Sequence, residues 1–137
     1  YVRYVPLDEL MAVSDVISIH VPLTDETRGL ISAERINMMK PTAIIINTAR
    51  GFIIDQDALV DALSKKKIRG AGLDAFEEEP LNADSPLLAL DNLVLTCHHA
   101  GSVIDNVLPR AIHAYGNIEK FSKGEEIDPR DIIVKKI

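Results

Sequence analysis

The chain has one cysteine in 137 residues and no Cys-x-x-Cys pair. Cys97 alone excludes an internal disulfide, as well as paired-thiol zinc or redox chemistry. No stretch reaches the run of about 18 apolar residues that a membrane-spanning helix needs. Basic residues are in the minority, with 15 Lys and Arg against 21 Asp and Glu and a net charge of −6 at pH 7. A nucleic-acid surface needs concentrated positive charge, so no nucleic-acid partner is expected. Lys65-Lys66-Lys67 is the one basic cluster, and it sits where a helix should end, beside the negative end of its dipole. The opening YVRYVPLDEL lacks the basic region and long apolar run of a secretory signal. Neither H-E-x-x-H nor G-x-S-x-G occurs, and His98-His99 has no third metal ligand at useful spacing. No metal site is expected. The remaining composition, 47% hydrophobic and 26% charged, is that of a soluble globular protein with no membrane partner. A cytoplasmic setting is the expectation.

What is present is a repeated strand–helix pattern. Val16 to Val21 is rich in β-branched residues and stops at Pro22, which predicts a short buried strand. A short helix is expected after Pro6, and another from Ser32 as N-cap to Lys40-Pro41. Ala43 to Asn47 is continuously apolar up to its last residue, the mark of a strand covered on both faces of a parallel sheet. Asp55-Gln56-Asp57 opens a helix closed by the three lysines. Ile68 to Leu73 and Asn92 to Leu95 read as two further strands, with a helical turn at 87–90 between them. A last helix is expected over 102–121, with Pro109 predicting a kink or a later start. Alternating strands and helices with short connections imply an α/β fold with a parallel sheet.

Ligands of such sheets lie beyond the carboxyl ends of the strands. His20, Asn47 to Arg50, Asp74 and His98-His99 all occupy that position, and Glu79 lies in the loop after Asp74. Each has an ordinary alternative. Arg50 alone is a surface arginine, His98 a packed histidine, and Glu79 part of a solvated EEEP run. Taken together they suit reduction of a 2-keto acid. A guanidinium fork can grip a carboxylate, and an imidazole can carry a proton near neutral pH. A carboxylate can hold the imidazole's second nitrogen and favour its charged form. The hydride must come from elsewhere, as a nicotinamide cofactor would supply it. Cys97 as a nucleophile lacks an identifiable orienting group.

Five stretches carry a resemblance: SDVISIHVPLTDETRGLI (14–31), MKPTAIIINTARG (39–51), IDQDALVDAL (54–63), GAGLDAFEEEPL (70–81) and LVLTCHHAG (93–101). In order and spacing they resemble the NAD-dependent D-isomer-specific 2-hydroxyacid dehydrogenase family, in the second half of its nucleotide-binding domain. The resemblance implies a Rossmann-type parallel sheet with a C-terminal helix, and NAD as cofactor. It also implies a small 2-hydroxy or 2-keto acid substrate and a homodimer. By resemblance Arg50 binds the substrate carboxylate, Glu79 partners the catalytic histidine and His98 is that histidine. Asp74 matches the aspartate that contacts the nicotinamide carboxamide. His20, Val21 and Pro22 match the adenosine side of the cofactor. Asn47, Thr48, Ala49 and Arg50 border it, together with His98, Ala100 and Gly101.

The chain also departs from the family pattern. Cys97 stands at a usual proline, His99 at an aliphatic position, Phe52 at a second glycine, Thr42 at a turn glycine and Ala75 at a valine. No G-x-G-x-x-G occurs, nor an acidic strand end following one. The expectation is a piece of a larger enzyme, inactive alone. Residues 1–123 would form the C-terminal part of the NAD-binding domain. Residues 124–137 would be a tail packing on a substrate-binding domain through Ile132-Ile133-Val134. The alternative is a non-catalytic NAD-binding regulatory or corepressor-like protein on the same fold.

Overall fold

A computed structural model describes residues 2–132. Four strands, β1 (Val16–Ile19), β2 (Ile44–Asn47), β3 (Gly70–Leu73) and β4 (Leu93–Leu95), form one sheet in the order β1-β2-β3-β4. Every neighbouring pair is parallel, as the apolar runs predict. The strands are shorter than those runs. β1 ends at Ile19 rather than Val21 because its partner there is Asn47, where β2 ends and the chain turns away. Gly70, Ala71 and Gly72 let β3 lie close to its neighbours, and a Cβ on Gly70 would meet the Asn92 carbonyl oxygen at 2.8 Å.

Three short helices accompany the sheet: α1 (Leu7–Val13), α2 (Ala33–Met38) and α3 (Gln56–Ser64). Asp55 caps α3 by accepting a hydrogen bond from the Ala58 amide at 3.0 Å. Ser32 takes the N-cap position of α2 but makes no capping bond; its hydroxyl donates to Glu34 at 2.7 Å instead. Met11, Ile36, Leu59 and Leu63 from the helices pack with Ile17, Ile45 and Leu73 from the strands in one core. The opposite sheet face is less covered than a continuous apolar run implies. Val16 and Val94 are 59% and 68% exposed there, and Ile44 and Ile46 are half-buried. Among the described residues, none of the helices is long and apolar enough to cross a membrane.

The chain divides into two compact units, Tyr1–Ala100 and Gly101–Ile137. The second holds α4 (Ile104–Lys123), which contains Pro109 within its span rather than starting after it. Gly124 ends α4 in the left-handed region, at φ 71°. A short turn at Pro129–Asp131 is tied back to α4, where Asp131 accepts from Asn117 at 3.0 Å and pairs with His113 at 2.9 Å. Of the expected tail contact, Ile132 is half-exposed, and Ile133 and Val134 lie outside the described residues.

Leu59 is fully buried, whereas Val94 is 68% exposed. Leu59→Ala should therefore cost about 2–5 kcal/mol in urea unfolding, and Val94→Ala within about 0.5 kcal/mol of zero. Equal losses would place the core on the wrong face.

Candidate active site

The polar groups gather where the sheet's carboxyl ends open. Asn47 and Asp74 are the buried polar residues among those described, 1% and 3% exposed; Asn47 ends β2 and Asp74 directly follows β3. The Asp74 amide donates to the Asn47 carbonyl at 2.9 Å, which joins the two strand ends. Each side chain then folds a loop. The Asn47 carboxamide donates to the Arg50 carbonyl at 2.8 Å and accepts from the Ala49 amide at 3.0 Å, closing the turn through Thr48. Arg50 leaves that turn exposed, with its guanidinium donating to its neighbour Ala49 at 2.7 Å.

Asp74 organises the loop after β4. Its Oδ1 accepts from the Thr96 hydroxyl at 2.6 Å and from the His99 amide at 2.9 Å; its Oδ2 accepts from the Ala100 amide at 2.8 Å. Burial pushes the Asp74 pKa up, yet these three bonds, with the charge of His98, hold it below the usual carboxylate range. Between the bonded residues His98 is turned into the left-handed region, φ 55°. Few residues with a Cβ adopt that backbone unless their surroundings fix it.

The His98 ring meets Glu79. Nδ1 lies 2.7 Å from Glu79 Oε2, while Glu79 Oε1 accepts from the Phe76 amide at 3.0 Å. The Phe76 bond first and the His98 bond second lower the Glu79 pKa, and Arg50 adds its charge to the same effect. A carboxylate so held only accepts, so Nδ1 carries a proton and Nε2 takes no part in this contact. His99 makes no such pair. Its Nδ1 lies 2.6 Å from the carbonyl oxygen of Cys97, two residues earlier, and 3.5 Å from Cys97 Sγ. Of the two adjacent histidines, His98 is the one paired with a carboxylate.

The loops of Arg50 and Glu79 are braced against each other. A Cβ on Gly51 would lie 1.9 Å from the Phe76 carbonyl carbon, so only glycine lets them approach. The Gln56 amide donates to the Glu77 carboxylate at 3.2 Å, and the Glu77 amide to the Gln56 side chain at 3.4 Å. A groove of about 770 Å³ contains Glu79 and His98 and is walled by Phe76, Leu81, Leu88 and Leu95. Arg50 is not among its lining residues.

The remaining expected contacts are more dispersed. His20 is exposed, its Nε2 2.8 Å from the Ser18 hydroxyl. Val21 is exposed, and the Pro22 carbonyl accepts from Thr27 at 2.7 Å. Gly101 belongs to the second unit. Sequence reasoning passed over Thr96, Gln56 and Glu77. Thr96 had a legible signal, because it follows β4 in the register position beside Asp74.

A profile of the D-isomer specific 2-hydroxyacid dehydrogenase NAD binding domain matches residues 1–100. The chain belongs to that family. It is 47% identical over 124 residues to a glyoxylate reductase of Korarchaeum cryptofilum, covering 90% of this chain and 37% of that protein. It is 51% identical over 123 residues to glyoxylate/hydroxypyruvate reductase B of Shigella boydii, covering 90% of this chain and 38% of that protein. Among solved structures, a D-isomer specific 2-hydroxyacid dehydrogenase from Xanthobacter autotrophicus Py2, in complex with NADPH and MES, superposes with a TM-score of 0.77. It is 42% identical, covering 90% of this chain and 52% of that one. The chain therefore spans well under half the length of the two reductases.

Asp74 and Glu79 both have lowered pKa values, so in acid the folded state binds fewer protons than the unfolded chain. Their stabilisation is complete above the ordinary carboxylate values near ~4 and is lost as the pH falls toward the lowered folded-state values. Urea unfolding from about pH 7 to about pH 3 should show this loss, with a shallower pH dependence for Asp74→Asn. Identical dependence in both proteins would remove Asp74 from the account.

Proposed function

We propose that these residues form the acid–base and carboxylate-binding part of an oxidoreductase that interconverts a D-2-hydroxy acid and its 2-keto acid with NAD(H). The observation that carries the reading is the His98–Glu79 pair, 2.7 Å apart at the edge of the groove. The reductase names of the relatives support small 2-keto acids of the glyoxylate and hydroxypyruvate kind. A homodimer in the cytoplasm belongs to the same reading.

The donor set of the site fits the amide end of a nicotinamide. A carboxylate offers about four lone-pair positions, and Asp74 spends two on Oδ1 and one on Oδ2. Oδ2 can accept one further N–H. Asp74 and the backbone near Ala49 and Ala100 would hold the cofactor, which supplies the hydride when bound. Arg50 grips the substrate carboxylate through its planar fork. His98 Nε2 donates a proton to the carbonyl oxygen during reduction and removes it from the hydroxyl during oxidation. Glu79 accepts from Nδ1 and fixes the ring. The alternative, a non-catalytic binding protein, has no use for this pair.

The test is NADH and NADPH oxidation by the full natural chain with glyoxylate, hydroxypyruvate and pyruvate. His98→Asn should lower kcat by about 10²–10⁴-fold. Arg50→Lys should act mainly by raising KM, because Lys cannot form the bidentate contact. Unchanged turnover in His98→Asn sinks the proton-transfer role.

A further inference from the structure

We propose that Thr96 is a positioning residue: its hydroxyl, through Asp74, holds the loop that turns His98 toward Glu79. Thr96 follows β4 directly, and its amide donates to the Leu73 carbonyl at 3.0 Å, carrying the β3–β4 pairing one residue past the strand. That backbone bond would form with any residue other than proline. The hydroxyl adds something a strand residue need not supply, a 2.6 Å bond to Asp74 Oδ1.

The arrangement brackets one residue. Donors to Asp74 come from Thr96, two residues before His98, and from His99 and Ala100, immediately after it. His98 between them has φ 55°, a backbone that must be imposed from outside. Both His98 side-chain position and its 2.7 Å contact with Glu79 depend on that backbone. Asp74 can impose it only while its own carboxylate is fixed. Being 3% exposed, it has little water to replace a lost donor. Removing the hydroxyl frees one of the two bonds to Oδ1 and lets the carboxylate rotate away from the His99 amide. Arg50, on the loop after β2, is organised separately by Asn47 and has no part in the effect.

The role rests on His98 being the acid–base group, and the experiment reads the two ideas separately. Amide hydrogen exchange at His99 and Ala100 and the ring ¹⁵N shifts of His98 are measured in the full natural chain for wild type, Thr96→Val, Thr96→Ala and Thr96→Ser. Both variants lacking the hydroxyl should speed exchange at the two amides roughly tenfold, with Ile45 protection retained as the control for an intact fold. The His98 Nδ1 shift should move toward an unpaired ring, and Thr96→Ser should restore both signals. In the full natural chain, Thr96→Val should lower kcat about tenfold and displace the pH profile. KM for the keto acid should stay within about twofold, with recovery in Thr96→Ser. Unchanged exchange at His99 and Ala100 in Thr96→Val, or Thr96→Ser as impaired as Thr96→Val, overturns the proposal. If His98→Asn leaves turnover intact, the dehydrogenase mechanism fails while the exchange data still decide what Thr96 holds.

Discussion

A carboxylate buried at the end of β3 sets the geometry of everything beyond the sheet. Asp74 is removed from water, which alone would favour its neutral form, and it stays charged because three donors converge on it. Those donors come from the loop that follows the neighbouring strand. The cost of burying the charge is offset only if that loop adopts one shape, so the carboxylate dictates the loop. Asn47 does the same at the end of β2 with a neutral side chain, satisfying an amide and a carbonyl of the turn that presents Arg50. The bond from the Asp74 amide to the Asn47 carbonyl places these two organisers side by side. Loops on separate strands thereby acquire a fixed relation without contacting one another through their working side chains.

Much of this was legible in the sequence. The apolar runs ending at Asn47 and Leu73 marked strands, and polar residues at their ends marked the site. Less visible was how far each strand would extend, because strand length depends on the partner. Val21 is as β-prone as Ile19, yet it has no neighbour once β2 turns at Asn47. Coverage of the sheet was over-read for a related reason. An unbroken run of isoleucines states that both faces are apolar, while the helices α1 to α3 pack with the core on one of them. Ser32 holds the N-cap position of α2 without capping it, and its hydroxyl is oriented by donating to Glu34, two residues on.

Within the site, position at the strand ends showed which chemistry-bearing residues gather, and only the family resemblance singled out the pair that would touch. EEEP offers three consecutive glutamates, and nothing in the run distinguishes one that meets an imidazole. The fold does distinguish them. Glu77 is engaged with the first turn of α3 through Gln56, whereas Glu79 is pinned by the Phe76 amide and meets His98. The approach of Gly51 to the Phe76 backbone brings the Arg50 loop to the same place, and Arg50 adds its charge to the forces lowering the Glu79 pKa. Cation, carboxylate and imidazole are thus electrostatically linked although Arg50 does not line the His98 groove.

Two of the departures from the family pattern lie in the loop of His98, and the structure brings them into contact. A proline before the histidine would restrict its own φ and bias the residue preceding it toward extended backbone. Cys97 imposes neither restriction, so rigidity must come from hydrogen bonding. Asp74 supplies it on both sides of His98. His99, where an aliphatic side chain would only pack, lies with its ring 2.6 Å from the Cys97 carbonyl. That contact fixes the backbone of the residue before His98 from the residue after it. It also commits a ring nitrogen of His99 to the loop itself. In this loop one histidine serves the backbone, and the other meets the Glu79 carboxylate.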